Sequence, residues 1–354
     1  MKEAAAPSIA IPEGVEGLTK EWFCLALQVE VARADIVQVM PGTCTKVRVA
    51  LDYREEAALP STMIVKGGFA DHSHLFLGMH ETEMRYYRDI APHVPFDTPK
   101  CYCAGQDANT GRSVVVLEDL DRRGILWLNA LSPLDWRDQV AVVDALAALA
   151  ARWWRSDELN PGGRLDWVIH SYEHEAAEYI DRYLQPALWN EFMRLPRCAG
   201  LPRSLHDRDR MRAALDQLAK RLDTHVTTLS HGDAHLGNLY LTAEGGAGFF
   251  DAQPRRAPWV KDFAYQMVAA LDIEDRRKWE KPLLARYLRK LQEAGVDGVP
   301  GFEEAWYDYR CEIAYGLFIF MINEGHFQRE EINTANTARF GMAAIDHGTF
   351  DLLR

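Results

Sequence analysis

The stretch Ser230–Leu239 (SHGDAHLGNL), followed by Gly248–Asp251 (GFFD), decides the fold of this chain. It places two carboxylates and one amide close together in the sequence: Asp233, Asn238 and Asp251. A phosphoryl-transfer site needs such a set, because one carboxylate accepts the proton of the attacking hydroxyl and two further oxygen donors hold Mg²⁺ against a nucleotide. Asp233 is therefore the catalytic candidate, and Asn238 and Asp251 are the candidate magnesium ligands.

The spacing of these residues supports that interpretation. Protein kinases place the catalytic Asp and the metal-binding Asn in an H-R-D-x-x-x-x-N loop, and Asp233 and Asn238 stand the same five positions apart. The intervening residues 239–250 predict a short hairpin with its turn at Gly245-Gly246. A hairpin brings its two ends together, so Asn238 and Asp251 can share one ion.

On these residues the chain resembles the small-molecule phosphotransferases with a protein-kinase-like fold, namely aminoglycoside phosphotransferases, choline kinases and the ecdysteroid-kinase-like group. Their hallmark is H-G-D-x-H-x-x-N, with Gly232 where protein kinases have Arg, and the downstream segments Asp251–Gln253 (DAQ) and Lys261–Tyr265 (KDFAY) strengthen the match. The Asp-x-Gln ending and the long C-terminal helical patterns look closest to the ecdysteroid-kinase-like group, which points away from an antibiotic acceptor.

The resemblance extends over nearly the whole length and implies an α+β, bilobal protein-kinase-like fold, with a small β-rich N-lobe and a larger, mainly helical C-lobe. It implies ATP as phosphate donor, with GTP as the alternative, Mg²⁺ as cofactor, and a hydroxyl of a small molecule as acceptor. The resembling families phosphorylate acceptors as different as aminoglycosides, choline and sterols. The sequence therefore does not identify the acceptor.

In the N-terminal part, alternating β-branched residues predict strands over residues 35–41 and 46–53. The turn between them (GTCT) lies where a kinase has its Gly-rich phosphate lid, but only one Gly is present. Gly42, Thr43 and Thr45 are candidates for phosphate contact through backbone N–H groups and hydroxyls, and a plain hairpin turn is the alternative.

A third strand, residues 62–68, carries a lysine near its end, and an amphipathic helix is predicted over residues 79–90. A buried ammonium needs an anionic partner. By resemblance, Lys66 contacts the nucleotide phosphates and Glu83, on the apolar face of the helix, pairs with Lys66. A solvated strand end and a surface carboxylate are the alternatives.

Residues 113–120 form an apolar run that predicts a buried strand followed by a polar loop. The resembling families use this segment as the hinge, where backbone groups from Glu118 to Leu120 pair with the adenine edge. We place the lobes at residues 1–120 and 121–354. Helical periodicity dominates the second lobe, over residues 135–154, 172–195, 207–226, 258–271, 274–294, 302–322 and 330–347. Asp262, at the start of one such helix, suits an N-cap or a buried acceptor for loop N–H groups.

Two other functions stay open. His231, Asp233 and His235 have a spacing that can ligate a metal directly, as in metal-dependent hydrolases, with Asp251 as a further ligand. A kinase-like protein that binds nucleotide but has lost transfer is the second alternative. It is favoured by the weak phosphate turn and by Ala252, because an aromatic residue often follows the metal-binding Asp in the resembling families.

The composition and charge of the chain limit the classes of binding partner. A formal net charge of −12 argues against a nucleic-acid-binding surface, which needs a basic face. The N-terminal residues lack the apolar core of a signal peptide, and the longest apolar run, Ile313–Ile322, is too short to span a bilayer. We expect a cytoplasmic protein without a membrane partner, and the sequence does not indicate its oligomeric state.

Overall fold

The computed structural model of the chain describes residues 9–173, 175–221 and 224–354, which form two compact units. The first unit comprises Met1–Val94 and Thr98–Ile125, and the second comprises Pro95–Asp97 and Leu126–Arg354. The division falls after Ile125, a few residues beyond the lobe boundary expected at residue 120.

The first unit is built on an antiparallel sheet of five strands in the order β1-β2-β3-β5-β4. The strands are β1 (Val31–Met40), β2 (Thr45–Tyr53), β3 (Thr62–Gly67), β4 (Cys101–Gln106) and β5 (Ser113–Glu118). Alternation in β2 turns Val47, Val49 and Leu51 into the core, where all three are fully buried. The four strands predicted from the sequence are confirmed, although β1 begins at Val31, earlier than expected.

Within its described residues, this unit has two α-helices, α1 (Lys20–Leu27) and α2 (Leu77–Arg85). The Thr19 side chain caps α1 by accepting a hydrogen bond from the Trp22 N–H. α2 continues into a π-helical turn, Tyr86–Ile90, so the helix predicted over residues 79–90 is confirmed but changes its hydrogen-bond pattern halfway.

The second unit is mainly helical. Its helices are α3 (Trp136–Arg152), α4 (Glu175–Tyr183), α5 (Pro186–Phe192), α6 (Pro196–Ala199), α7 (Arg208–Lys220), α8 (Val260–Ala270), α9 (Ile273–Glu293), α10 (Phe302–Ile322), α11 (Glu330–His347) and α12 (Thr349–Leu352). The single helix predicted over residues 172–195 is wrong, because Pro186 has no N–H to donate and begins a new helix instead. Every residue of α8 is buried, which makes it the central helix of this unit.

The described part of the second unit also contains five short strands: β6 (Leu126–Trp127), β7 (Thr227–Ser230), β8 (Leu239–Leu241), β9 (Ala247–Phe249) and β10 (Arg255–Pro258). β6, β8 and β9 form one small sheet, and β7 pairs with β10. The hairpin predicted between Asn238 and Asp251 is confirmed as β8–β9, with Leu239 opposite Phe249 and the turn closed by a hydrogen bond from the Gly245 N–H to the Thr242 carbonyl.

Among the described residues, no helix combines the length and the apolar character needed to cross a bilayer. The long apolar run that ends at Ile322 is the second half of α10, whose side chains pack into the core of the second unit.

Candidate active site

The loop that carries Asp233 follows β7 and is held by a buried aspartate of α8. The backbone N–H groups of His231 and Gly232 donate to the two carboxylate oxygens of Asp262, at 2.5 and 3.2 Å. Burial raises the pKa of Asp262 to about 6, although these two N–H groups act in the opposite direction. Asp262 lies in the first turn of α8, so its predicted role as a buried acceptor is confirmed and the N-cap alternative is wrong.

Gly232 is required by the backbone of this loop. Its φ is +84°, and a Cβ atom built there would lie 1.8 Å from the carbonyl oxygen of Gln253. The Gln253 N–H in turn donates to the His231 carbonyl at 2.9 Å. No side chain fits at position 232, which explains why Gly occupies the place of the protein-kinase Arg.

Asp233 is oriented by two side chains. Its Oδ2 accepts a hydrogen bond from Asn238 Nδ2 at 2.9 Å, and its Oδ1 accepts one from the Tyr265 hydroxyl at 3.2 Å. Burial alone would raise the pKa of Asp233, but the nearby imidazoles of His235 and His231 and the Tyr265 hydrogen bond lower it below its ordinary value. Because 36% of the side chain stays exposed, an ionised carboxylate is presented to an acceptor.

The two histidines of the loop have structural contacts. The His231 ring donates from Nε2 to the Phe250 carbonyl at 3.1 Å, and burial lowers its pKa to about 4, so it is neutral. His235 Nδ1 accepts from the Gly237 N–H at 2.9 Å, and its Nε2 lies 3.6 Å from Asp233 Oδ2. Over the described ranges, no group of three or more His, Cys, Asp or Glu is arranged to hold a metal, so the structure gives the hydrolase alternative no support.

Asn238 and Asp251 flank the open end of the β8–β9 hairpin. The Phe250 N–H donates to the Asn238 carbonyl at 3.1 Å, which places the following residue, Asp251, beside Asn238. Asn238 Nδ2 donates both to the Asp233 carbonyl at 3.0 Å and to the Asp233 carboxylate, so its Oδ1 is the amide atom that can take a cation. Asp251 adopts a left-handed conformation with φ +57°, which is unusual for a residue other than Gly. An amide oxygen and a carboxylate fit the oxygen preference of Mg²⁺.

In the first unit, Lys66 on β3 forms a buried ion pair with Glu83 on α2. Both side chains are almost completely buried. The structure thus brings together the two residues that the sequence singled out, and it places the lysine ammonium opposite a fixed carboxylate.

The turn between β1 and β2 is held by two histidines. The Gly42 carbonyl accepts from His72 Nε2 at 3.0 Å, and the Thr43 carbonyl accepts from His80 Nε2 at 3.1 Å. Burial lowers the pKa of His80, which favours the neutral ring. Thr45 is buried at the start of β2. The sequence did not indicate these histidine contacts.

The segment expected to meet the nucleotide base lies at the end of β5. The Glu118 N–H donates to the Lys100 carbonyl at 2.8 Å, and the Glu118 side chain accepts from the Lys100 N–H at 3.2 Å. The Asp119 carbonyl accepts from the Arg122 N–H at 3.1 Å, and Leu120 is buried. These bonds fix the path of the backbone through residues 118–120.

Lys261 of the second unit, part of the KDFAY segment, has buried contacts that the sequence did not indicate. Lys261 Nζ lies over the Tyr315 ring, 3.0 Å from its centroid, and donates to the Tyr172 hydroxyl at 3.1 Å. The Tyr172 hydroxyl donates to Glu312 at 3.2 Å. Burial lowers the pKa of Lys261 to about 8, against the opposing effect of the Glu312 and Asp262 charges. The signal in the sequence for this burial was the position of Lys261 in a mainly apolar predicted helix.

Solved structures share this fold. Three examples are a candidate aminoglycoside phosphotransferase of Ralstonia eutropha JMP134 (13% identity, TM-score 0.53, 94% of this chain and 96% of the other), the ethanolamine kinase of Plasmodium vivax (14%, 0.53, 89% and 83%) and the choline kinase LicA of Streptococcus pneumoniae (14%, 0.52, 93% and 99%). They confirm the expected α+β, protein-kinase-like fold. The comparison with curated proteins finds no match.

The fold, together with the Asp233 loop and the Lys66–Glu83 pair, defines the class of small-molecule kinases. Within that class, the chain belongs to the ecdysteroid kinase-like family, whose model matches residues 43–296. The resemblance drawn from the sequence is thereby confirmed, including its preference for this group.

Proposed function

We propose that the chain transfers the γ-phosphate of ATP, or of GTP, to a hydroxyl of a small molecule. The observation that carries the proposal is the hydrogen bond between Asp233 and Asn238, which joins a proton acceptor to a metal ligand. The Asp233 carboxylate is partly exposed and ionised, and the Asn238 amide is turned so that its oxygen can take a cation.

In the proposed reaction, Asp233 orients the acceptor hydroxyl and accepts its proton as the oxygen attacks the phosphorus. Asn238 Oδ1 and the Asp251 carboxylate hold Mg²⁺, which when bound supplies positive charge against the triphosphate. Lys66, braced by Glu83, contributes a further positive charge to the phosphates.

The remaining contacts to the nucleotide belong to the same proposal. Backbone groups of Gly42, Thr43 and Thr45 contact phosphate, and backbone groups from Glu118 to Leu120 pair with the base edge. The acceptor in this proposal is a small hydroxylated molecule, and the sequence argument disfavours an antibiotic. We place the activity in the cytoplasm on the sequence argument alone.

The test separates catalysis from binding at Asp233. Asp233→Asn keeps one oxygen and the size of the side chain but cannot accept a proton. We expect it to retain the fold and Mg·ATP affinity, while turnover falls by about 10² or more, the order expected for loss of a general base. ADP release over a panel of hydroxylated compounds measures turnover, and calorimetry measures nucleotide affinity.

The matched control is Asp209→Asn, which changes an exposed carboxylate of α7 in the same unit. It should leave both quantities unchanged. Full turnover of the Asp233→Asn variant would refute the mechanism. Nucleotide binding by the wild type without any transfer over a broad panel would favour the second candidate, a nucleotide-binding member that has lost transfer, for which the single-glycine turn at Gly42 remains the favouring feature.

A further inference from the structure

Strand β6 exposes two large apolar side chains on the second unit. Leu126 is 59% and Trp127 is 45% exposed. The Trp127 ring is nevertheless held in a defined orientation, since it meets the Tyr240 ring at 6.1 Å and the Phe250 ring at 5.3 Å, both edge to face. A large, oriented and exposed indole is a surface suited to a flat ligand.

These three rings, Trp127, Tyr240 and Phe250, contact one another and form what we call the aromatic platform. Trp127 lies directly opposite Tyr240 in the pairing of β6 with β8. The Tyr240 hydroxyl donates to the Asp97 carboxylate, and its ring fills the space above Gly248, where a Cβ atom would lie 2.2 Å from it. Tyr240, which contacts the indole, is therefore held in place by a hydrogen bond and by close packing.

The platform adjoins the candidate metal ligands. Tyr240 follows Asn238 by two residues, and Phe250 directly precedes Asp251. The hydrogen bond from the Phe250 N–H to the Asn238 carbonyl, at 3.1 Å, joins the two strands at this point. The Trp127 ring thus contacts Phe250, the residue that directly precedes Asp251.

The order of contacts identifies the ligand part that belongs on the platform. Tyr265 contacts Asp233, Asp233 contacts Asn238, Asn238 contacts Phe250, and Phe250 contacts Trp127. A nucleoside triphosphate that donates its γ-phosphate near Asp233 has its metal-bound phosphates next and its base at the far end. The far end of the contact series is the indole.

We propose that Trp127 stacks on the purine base of the nucleotide, an inference that rests on the proposed phosphotransfer function. Stacking uses the π-face of the base, which adenine and guanine share, and does not read the hydrogen-bonding edge. Trp127 therefore contributes affinity for purine nucleotides without selecting ATP over GTP.

The experiment measures the binding of Mg·ADP and Mg·GDP by calorimetry. Trp127→Ala should weaken both by a similar factor of about 5- to 150-fold, the range that base–aromatic stacking supplies. Trp127→Phe, which keeps an aromatic face, should retain most of the affinity. That result would show that the loss in Trp127→Ala does not come from misfolding. Trp136→Ala is the matched control, because Trp136 is 40% exposed and edge-on to Trp279 in the same unit. It should bind both nucleotides like the wild type.

Unchanged affinity of the Trp127→Ala variant would overturn the inference. So would a loss restricted to one of the two nucleotides, or a change confined to the KM of the acceptor, which would assign the indole to the acceptor instead. A wild type that binds both nucleotides but transfers no phosphate would overturn the proposed function alone, since the stacking result is read from binding.

Discussion

Replacing Asp262 with Asn should damage activity far more than stability. The substitution keeps one acceptor oxygen but replaces the other with an amide, so one of the two loop N–H groups, from His231 or Gly232, loses its partner. An unsatisfied buried donor costs about 1–3 kcal/mol. The substitution also removes a buried charge.

Removing the buried charge of Asp262 stabilises the native state by an amount similar to the cost of the unsatisfied N–H group. A rise of the Asp262 pKa from its ordinary 3.8 to about 6 corresponds to about 3 kcal/mol of cost when the group ionises in the native state. The two effects nearly cancel, and we expect the free energy of unfolding at pH 7 to change by less than about 2 kcal/mol. The loop that carries Asp233, however, loses one of its two anchors, and turnover should fall by about 10- to 100-fold.

The pH dependence gives a second signature. Because the native-state pKa of Asp262 lies above the unfolded value, the native state binds the extra proton between about pH 4 and pH 6. This contribution to stability is present at the acid end and is lost as pH rises through 6. In urea unfolding at pH 4.5 and pH 7, the wild type should therefore lose stability relative to Asp262→Asn as pH rises.

Asp272→Asn is the matched control, since the exposed Asp272 also accepts two backbone N–H groups, both at 2.9 Å, at the start of α9. Asn caps helices about as well as Asp, so stability and turnover should hold. Wild-type turnover in Asp262→Asn would refute the anchoring role. A loss of more than about 4 kcal/mol would refute the energy balance, because it would exceed the cost of one unsatisfied donor.

Three further predictions concern the metal, the lysine of the first unit and the buried lysine of the second. Asp251→Ala should weaken Mg·ATP far more than metal-free ATP in calorimetry, and equal losses would remove Asp251 from the metal site. Lys66→Met should weaken ADP binding by about 10-fold or more and destabilise the fold by about 3–5 kcal/mol, since it leaves Glu83 buried without its partner. Lys66→Met combined with Glu83→Gln should recover stability but not affinity, and recovery of both would contradict the phosphate role. The native-state pKa of Lys261, about 8, lies below its ordinary 10.5, so the unfolded state binds more protons between these values. The free energy of unfolding of the wild type should therefore rise by about 2 kcal/mol between pH 7.5 and 9.5. Urea unfolding should show no such rise for Lys261→Met.

The sequence predicted those parts of the fold whose signals are local. The β8–β9 hairpin could be read from Gly245-Gly246 between two apolar runs, and the strands of the first unit from their β-branched alternation. The pairing of Asp233 with Asn238 could be anticipated because residue type and spacing together are typical of this loop, whereas the chemical roles of the two residues stay a prediction. Where a local signal was overlooked, as at Pro186, one helix was predicted where the chain forms two.

What could not be predicted depends on residues that are distant in sequence. The hydrogen bond from Tyr265 to Asp233 joins residues 32 positions apart, and no periodicity encodes it. Lys261, Tyr172 and Glu312 come from three segments, and only the folded core reveals that they meet. No role was predicted for Trp127 from the sequence, because the surface that it forms depends on the Tyr240 and Phe250 rings, more than 100 residues further along the chain.

The left-handed backbone at Asp251 has a consequence for laboratory evolution of this chain. An L-residue in that conformation costs up to about 1–2 kcal/mol relative to Gly, although Asp and Asn are tolerated there better than most other residues. Mutant libraries sorted only for heat resistance should therefore enrich Gly at position 251, which relieves the backbone and deletes a carboxylate. Thermostable variants chosen without an activity screen would then lack the proposed magnesium ligand, and position 251 has to be kept as Asp before any such selection begins.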